Sequence, residues 1–177
     1  MDLLPGNQDA QLVAKHSFMI DEYLAKLDAD GELGINWLAS GSDDVFFHGH
    51  CHQKALIGME PSMAILKSAG CSASESGAGC CGMAGAFGYE AEHYDVSKKI
   101  GEERLFPAIN LLNSETTVTV AGVSCRQQID HFTGRGTQHI AEVLAARIDK
   151  SRPWTPPSVP DPVPEVEPDP ARMVVSR

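Results

Sequence analysis

The sequence predicts an α/β domain built on a mainly parallel sheet with flanking helices, with a cysteine site beyond the carboxyl ends of its strands. Three observations predict it. Short β-branched or aromatic runs alternate with longer segments of helical period, the pattern of a layered α/β domain. The connections between them are short and rich in Gly, Ser and Asp. Cysteines follow directly on the two clearest strand candidates, where open α/β sheets place their sites.

Over residues 10–27, Leu12, Val13, Met19, Ile20, Tyr23, Leu24 and Leu27 recur at near-helical spacing, which predicts one amphipathic helix. A loop of Asp, Gly and Ser leads into Val45-Phe46-Phe47, a short apolar strand, and then into HGHCHQ. Met63, Ile65 and Leu66 predict a helix over 60–69, with Pro61 tolerated in its first turn. The stretch GCSASESGAGCCGMAGAFG is a loop of small residues around two cysteines. A long helix is expected over 90–112, kinked or interrupted at Pro107. Residues 116–121, TTVTVA, form the clearest strand by β-branched content. A helix is expected to start shortly after Cys125, and another to cover 140–148.

From Ser151 the character changes. This segment holds eight of the eleven prolines, mixed with acidic residues, so it cannot build a core. The expected division is therefore a domain over 1–150 and a disordered, Pro-rich acidic tail over 151–177.

At 177 residues, 42% hydrophobic and 21% charged, the chain has enough material for one well-packed domain. Its formal net charge of -10 would be repelled by a phosphate backbone or by anionic lipid, so nucleic acid is not an expected partner. No apolar run is long enough to span a bilayer, and MDLLPGNQDAQ lacks the basic and apolar regions of a signal peptide. The expected location is the cytoplasm, with any membrane contact made peripherally through partners. Thiols stay reduced there, and five cysteines including an adjacent pair make a poor disulfide framework.

Cys51, Cys80, Cys81 and Cys125 are the candidate ligands of a metal centre. Twenty-eight residues separate Cys51 from the Cys80-Cys81 pair, and 43 separate the pair from Cys125. Thiolates are soft ligands, and four complete the outer coordination of a [4Fe–4S] cluster. Adjacent cysteines start with their side chains pointing apart, which suits a cluster offering each sulfur its own iron better than one tetrahedral ion. Gly77, Gly79, Gly82, Gly85 and Gly88 allow the backbone to bring N–H groups up to sulfur. Two other chemistries stay open on spacing alone. His48, His50 and His52 could join the cysteines in a structural zinc site, although no C-x-x-C knuckle is present. Cys80-Cys81 could act as a dithiol in disulfide exchange, at the cost of a strained ring. GAGCCG matches the dinucleotide fingerprint G-x-G-x-x-G, but SASES before it is a poor strand.

His50 and His52 flank Cys51, as donors toward a cluster or as loop residues bonded to backbone. Arg126 follows Cys125, either to neutralise a reduced cluster or as half of a surface ion pair. Cys71, away from the pair, reads as a structural thiol.

With these residues in place, the sequence resembles the cysteine-rich CCG family. That family includes the heterodisulfide reductase B subunit and the iron–sulfur subunits of glycolate and anaerobic glycerol-3-phosphate oxidation. The resemblance runs over residues 8–148 and rests on HGHCHQKAL (48–56), GCCGMAGAFGYEAEHYDVSKKIGE (79–102), GVSCRQQI (122–129) and TQHIAEVLA (137–145). It is nearest to the C-terminal module of FAD-linked oxidases that carry iron–sulfur domains. The resemblance implies a [4Fe–4S] cluster and a role in electron transfer, as a subunit or fragment of a 2-hydroxy-acid dehydrogenase type oxidoreductase. FAD is implied only on a partner subunit or missing domain, alongside a second CCG or ferredoxin-like module. The family's last element is C-x-x-C, whereas this chain has Gly122-Val-Ser-Cys125. Four cysteines remain, enough for an ordinary cubane, which favours plain electron relay over heterodisulfide chemistry.

Overall fold

Thr117–Val120 and Asp44–His48 pair in parallel at the centre of a four-stranded sheet. Both bury successive residues, as a strand covered on both faces does. The computed structural model describes residues 4–39 and 43–152, so nearly all of the predicted tail lies outside the described residues. Four strands are named in chain order: β1 (Asp44–His48), β2 (Ser72–Glu75), β3 (Thr117–Val120) and β4 (Gln138–His139). They lie in the order β2-β1-β3-β4, and every pairing is parallel. The predicted fold class is therefore the observed one.

Eight α-helices occur among the described residues: α1 (Gln8–Lys15), α2 (Ile20–Ala29), α3 (Cys51–Leu56), α4 (Glu60–Ser68), α5 (Tyr94–Glu103), α6 (Leu105–Asn110), α7 (Val123–Thr133) and α8 (Ile140–Ala146). The pleat divides the core in two. Val45 and Phe47 face a cluster with Ile65, Leu66, Ile140 and Leu144, from α4 and α8. Phe46, Val118 and Val120 face the other way, toward Leu105, Phe106, Ile109 and Ile129 of α6 and α7. Cys81 and Cys125 belong to this second cluster, and Cys71 to the first.

Local structure departs from expectation at four places, each for a tertiary or capping reason. The helix expected over 10–27 is two helices. Glu22 accepts a hydrogen bond from the Met19 N–H at 3.1 Å and starts α2 afresh. No residue of α1 is buried. SASE is a strand despite its poor propensity, because backbone pairing of Ser72–Glu75 with β1 decides it. The long helix breaks at Arg104 rather than at Pro107. Pro107 is the third residue of α6, where its missing N–H costs nothing. Finally, α7 begins at Val123, which places Cys125 inside its first turn.

A buried polar network fixes the start of α3. The Gln53 amide donates to Asp21 of α2 at 2.9 Å and to Ser62 of α4 at 2.6 Å, and Ser62 donates in turn to Asp21. All three side chains are buried. Removing one member strands the others without solvent. Gln53→Leu is expected to lower stability by about 3 kcal/mol, read as a lower urea midpoint at unchanged slope.

Candidate metal centre

The strand order reverses direction between β1 and β3, since β2 lies beyond β1 and β4 beyond β3. The crevice at such a switch point opens at the carboxyl ends of the two central strands. Here β1 leads through Gly49-His50 to Cys51, and β3 leads through Ala121-Gly122 to the first turn of α7 and Cys125. The loop after β2 brings Cys80 and Cys81 to the same end.

The four thiols form a row. Cys51 contacts Cys80, Cys80 contacts Cys81, and Cys81 contacts Cys125. The first member is exposed, Cys80 is half-buried, and Cys81 and Cys125 are buried. Cys80 donates to Cys81 and is desolvated, so its thiol titrates well above the ordinary range. Cys81 is pushed up to about 11, chiefly because it donates to Cys125. That same hydrogen bond lowers the Cys125 thiol against the opposing effect of burial. Among the described residues, no group of three or more His, Cys, Asp or Glu side chains is arranged to hold one metal ion. A row of neighbouring sulfurs is instead a donor set for a centre with several metal atoms, or for thiol exchange along the row.

Backbone N–H groups turn toward this row. The Gly82 N–H donates to the Cys80 sulfur at 3.3 Å, and the Met83 N–H to Cys81. Gly82 has φ +100, and a Cβ there would stand 2.1 Å from the Ser97 carbonyl oxygen. Ser97 is held by Gln128 of α7, whose amide donates to its hydroxyl at 2.8 Å. The loop of the cysteine pair is thus clamped between α5 and α7. Lys54 of α3 donates to the Ala78 carbonyl and ties the Cys51 helix to the same loop.

The flanking residues divide. His50 caps α3, its Nδ1 accepting from the His52 N–H at 3.2 Å. Its ring sits against Gly122, where a Cβ would meet His50 Cδ2 at 2.6 Å. His50 therefore interlocks the Cys51 and Cys125 turns. Its protonation is held below the usual range, first by burial and then by the charges of His52, His48 and Lys54. The His52 side chain is exposed. Arg126 is exposed and lies 3.9 Å from Glu142 of α8, the surface ion pair that was one of its two expected roles. The segment Gly77–Gly82 follows a strand after all, but single turns of 3₁₀ helix at Phe87–Tyr89 and Ala91–His93 precede α5, so no α-helix opens at the last glycine.

Two features beside the row are not evident from spacing. A cleft of about 450 Å³ opens next to Cys80, lined by Ala78, Gly79, Ile100, Glu103 and Arg104. His48, the last residue of β1, is completely buried, with Nδ1 2.8 Å from the Ser76 hydroxyl oxygen and Nε2 without a partner. Its place as the final strand residue on the Phe46 side of the pleat was the available signal.

No family model matches the chain, and no solved structure matches it. Among curated proteins, D-2-hydroxyglutarate dehydrogenase of Escherichia coli (strain K12) is 30% identical over 141 residues, 70% of this chain but 14% of that protein. The Pseudomonas putida protein of the same name is 35% identical over 66 residues, 37% of this chain and 6% of that protein. One subunit of the anaerobic glycerol-3-phosphate dehydrogenase of Escherichia coli (strain K12) is 27% identical over 148 residues, 72% of this chain and 37% of that protein. The chain thus spans a minor part of the curated relatives it matches, and what it is similar to is a stretch within proteins named as dehydrogenases or as part of one.

Proposed function

We propose that this chain is the iron–sulfur electron-transfer module of a flavin-linked oxidoreductase of the 2-hydroxy-acid dehydrogenase type, passing electrons from flavin to a quinone or another carrier. The observation that carries this reading is the row of four thiols drawn from three separate turns to the switch point of one sheet. The relatives' names support an oxidoreductase role. FAD belongs on a partner subunit or domain, together with a second CCG or ferredoxin-like module, since the chain matches only 14% of the dehydrogenase it is 30% identical to.

The residues present fit a [4Fe–4S] cluster. Cys51, Cys80, Cys81 and Cys125 would hold it, and such a cluster supplies one-electron transfer at a potential set by its surroundings. The Gly82 and Met83 N–H groups already address two of the sulfurs. Burial of Cys81 and Cys125 excludes water from one side of the site, and exposure of Cys51 leaves the other side accessible. The chain's residues thus set distance and potential rather than making or breaking bonds in a substrate. Gly122, where the family carries a further cysteine, is packed against the His50 ring, consistent with a four-thiolate centre.

Anaerobic reconstitution with iron and sulfide, followed by EPR after reduction, tests the reading. About four irons per chain and a reducible paramagnetic signal are expected. Cys125→Ser should lower cluster occupancy roughly tenfold, whereas Cys71→Ser, in the opposite core, should leave it unchanged. Zinc without sulfide would instead mark a zinc-stabilised interaction module. A metal-free protein that turns over disulfides would mark a thiol–disulfide reductase component.

A further inference from the structure

Strand β1 ends on a histidine that no water reaches. His48 is 0% exposed and pairs in register with Val120 of β3. It shares a pleat face with Phe46, two residues earlier, and Phe46 packs in the cluster that contains Ala78, Cys81, Met83 and Cys125. One side of the ring is fully accounted for. Nδ1 lies 2.8 Å from the Ser76 hydroxyl oxygen, and that oxygen also accepts the Ala78 N–H at 3.3 Å. The Ser76 hydroxyl, while accepting the Ala78 N–H, keeps its own hydrogen to donate to Nδ1, and in that tautomer the ring proton sits on Nε2. Nε2 has no partner. An unpaired ring nitrogen in a closed core is costly, and an apolar side chain would fill the same position without that cost. The charged groups that face the ring are Lys54 of α3 and Glu75 of β2. Neither is a hydrogen-bond partner of Nε2.

We infer that His48 is a positioning and potential-setting residue, whose Nε2–H donates a hydrogen bond to a sulfur of the cluster held by the four cysteines. This rests on the cluster reading above. His48 is tied through Ser76 to the backbone that leads into Cys80-Cys81. The same contacts that orient the ring therefore orient the cysteine loop. A donor to sulfur stabilises the more negative, reduced cluster and raises its potential. The ring stays neutral, so it adds a dipole without a full charge.

The full chain, reconstituted with iron and sulfide, is titrated by EPR-monitored reduction as wild type, His48→Phe and His48→Gln. His48→Phe should keep about four irons and shift the one-electron equilibrium about tenfold toward the oxidised form, a potential about 59 mV lower. His48→Gln, which returns an N–H near the place of Nε2, should recover most of that shift. An unchanged potential in His48→Phe with iron retained overturns the donor role and leaves the cluster reading standing. A wild-type chain that takes up no iron and sulfide overturns both. Should His48→Phe fail to fold, ¹⁵N-histidine NMR of the wild type decides. A His48 Nε2–H resonance displaced by the paramagnetic cluster supports the bond, and one identical in cluster-free and cluster-loaded protein overturns it.

Discussion

Replacing Gly82 by alanine is expected to empty the cysteine site. The residue has φ +100, a region that costs an L-residue about 1–3 kcal/mol by itself. The new Cβ would also stand 2.1 Å from the Ser97 carbonyl oxygen and 3.0 Å from its carbon, which are backbone atoms of α5 and cannot rotate away. The loop must then move off α5, which breaks the Gln128–Ser97 bonds and carries Cys80 and Cys81 out of the row. A combined loss on the order of 4 kcal/mol follows from strain and the stranded buried Gln128. Bound iron after reconstitution and the thermal midpoint should both fall. Gly79→Ala is the control: it has no positive φ and nothing within 4 Å of a Cβ, so both readings should stay near wild type. Equal behaviour of the two variants would show that the loop is not clamped as described.

Acid is expected to destabilise the chain well before its carboxylates are all protonated. Folded His48 titrates at about 3 against an ordinary value of 6.5, chiefly through burial, with Lys54 adding to the shift and Glu75 opposing it. A depressed histidine pKa means that the unfolded chain binds a proton the folded chain refuses. Stability is therefore complete above pH 6.5 and is lost as pH falls toward 3. Each pH unit in that window costs up to about 1.4 kcal/mol, so about 3 kcal/mol is gone by pH 4.5. Urea midpoints at pH 7 and pH 4.5 measure this in wild type and His48→Phe. The variant should retain only the shallower loss from its carboxylates and from His50, whose protonation is also disfavoured in the fold. Parallel losses in the two proteins would remove His48 as the cause.

The layered parallel α/β class, the place of β1 and β3, and the four cysteines that form the row are legible in the chain's residues alone. These are properties of composition and short-range period. Val45-Phe46-Phe47 is apolar on successive residues and Thr117–Val120 is β-branched throughout, as suits central parallel strands covered on both faces. The rest is set by packing. SASE has no strand propensity of its own and becomes β2 because β1 offers it hydrogen bonds. Helix α6 folds back on α5 at Gly101, where a Cβ would stand 2.1 Å from the Phe106 ring, a contact made only because the chain breaks at Arg104 between them. The five glycines around the cysteine pair look alike in sequence, yet Gly82 faces a backbone carbonyl while Gly79 faces open space. His48 reads as one of three clustered histidines, and its full burial with one unpaired nitrogen follows from which side of the pleat it occupies and what packs there. The reason is physical: local chemistry chooses elements, but close approach, burial and unpaired polar atoms are set by residues far apart in the chain.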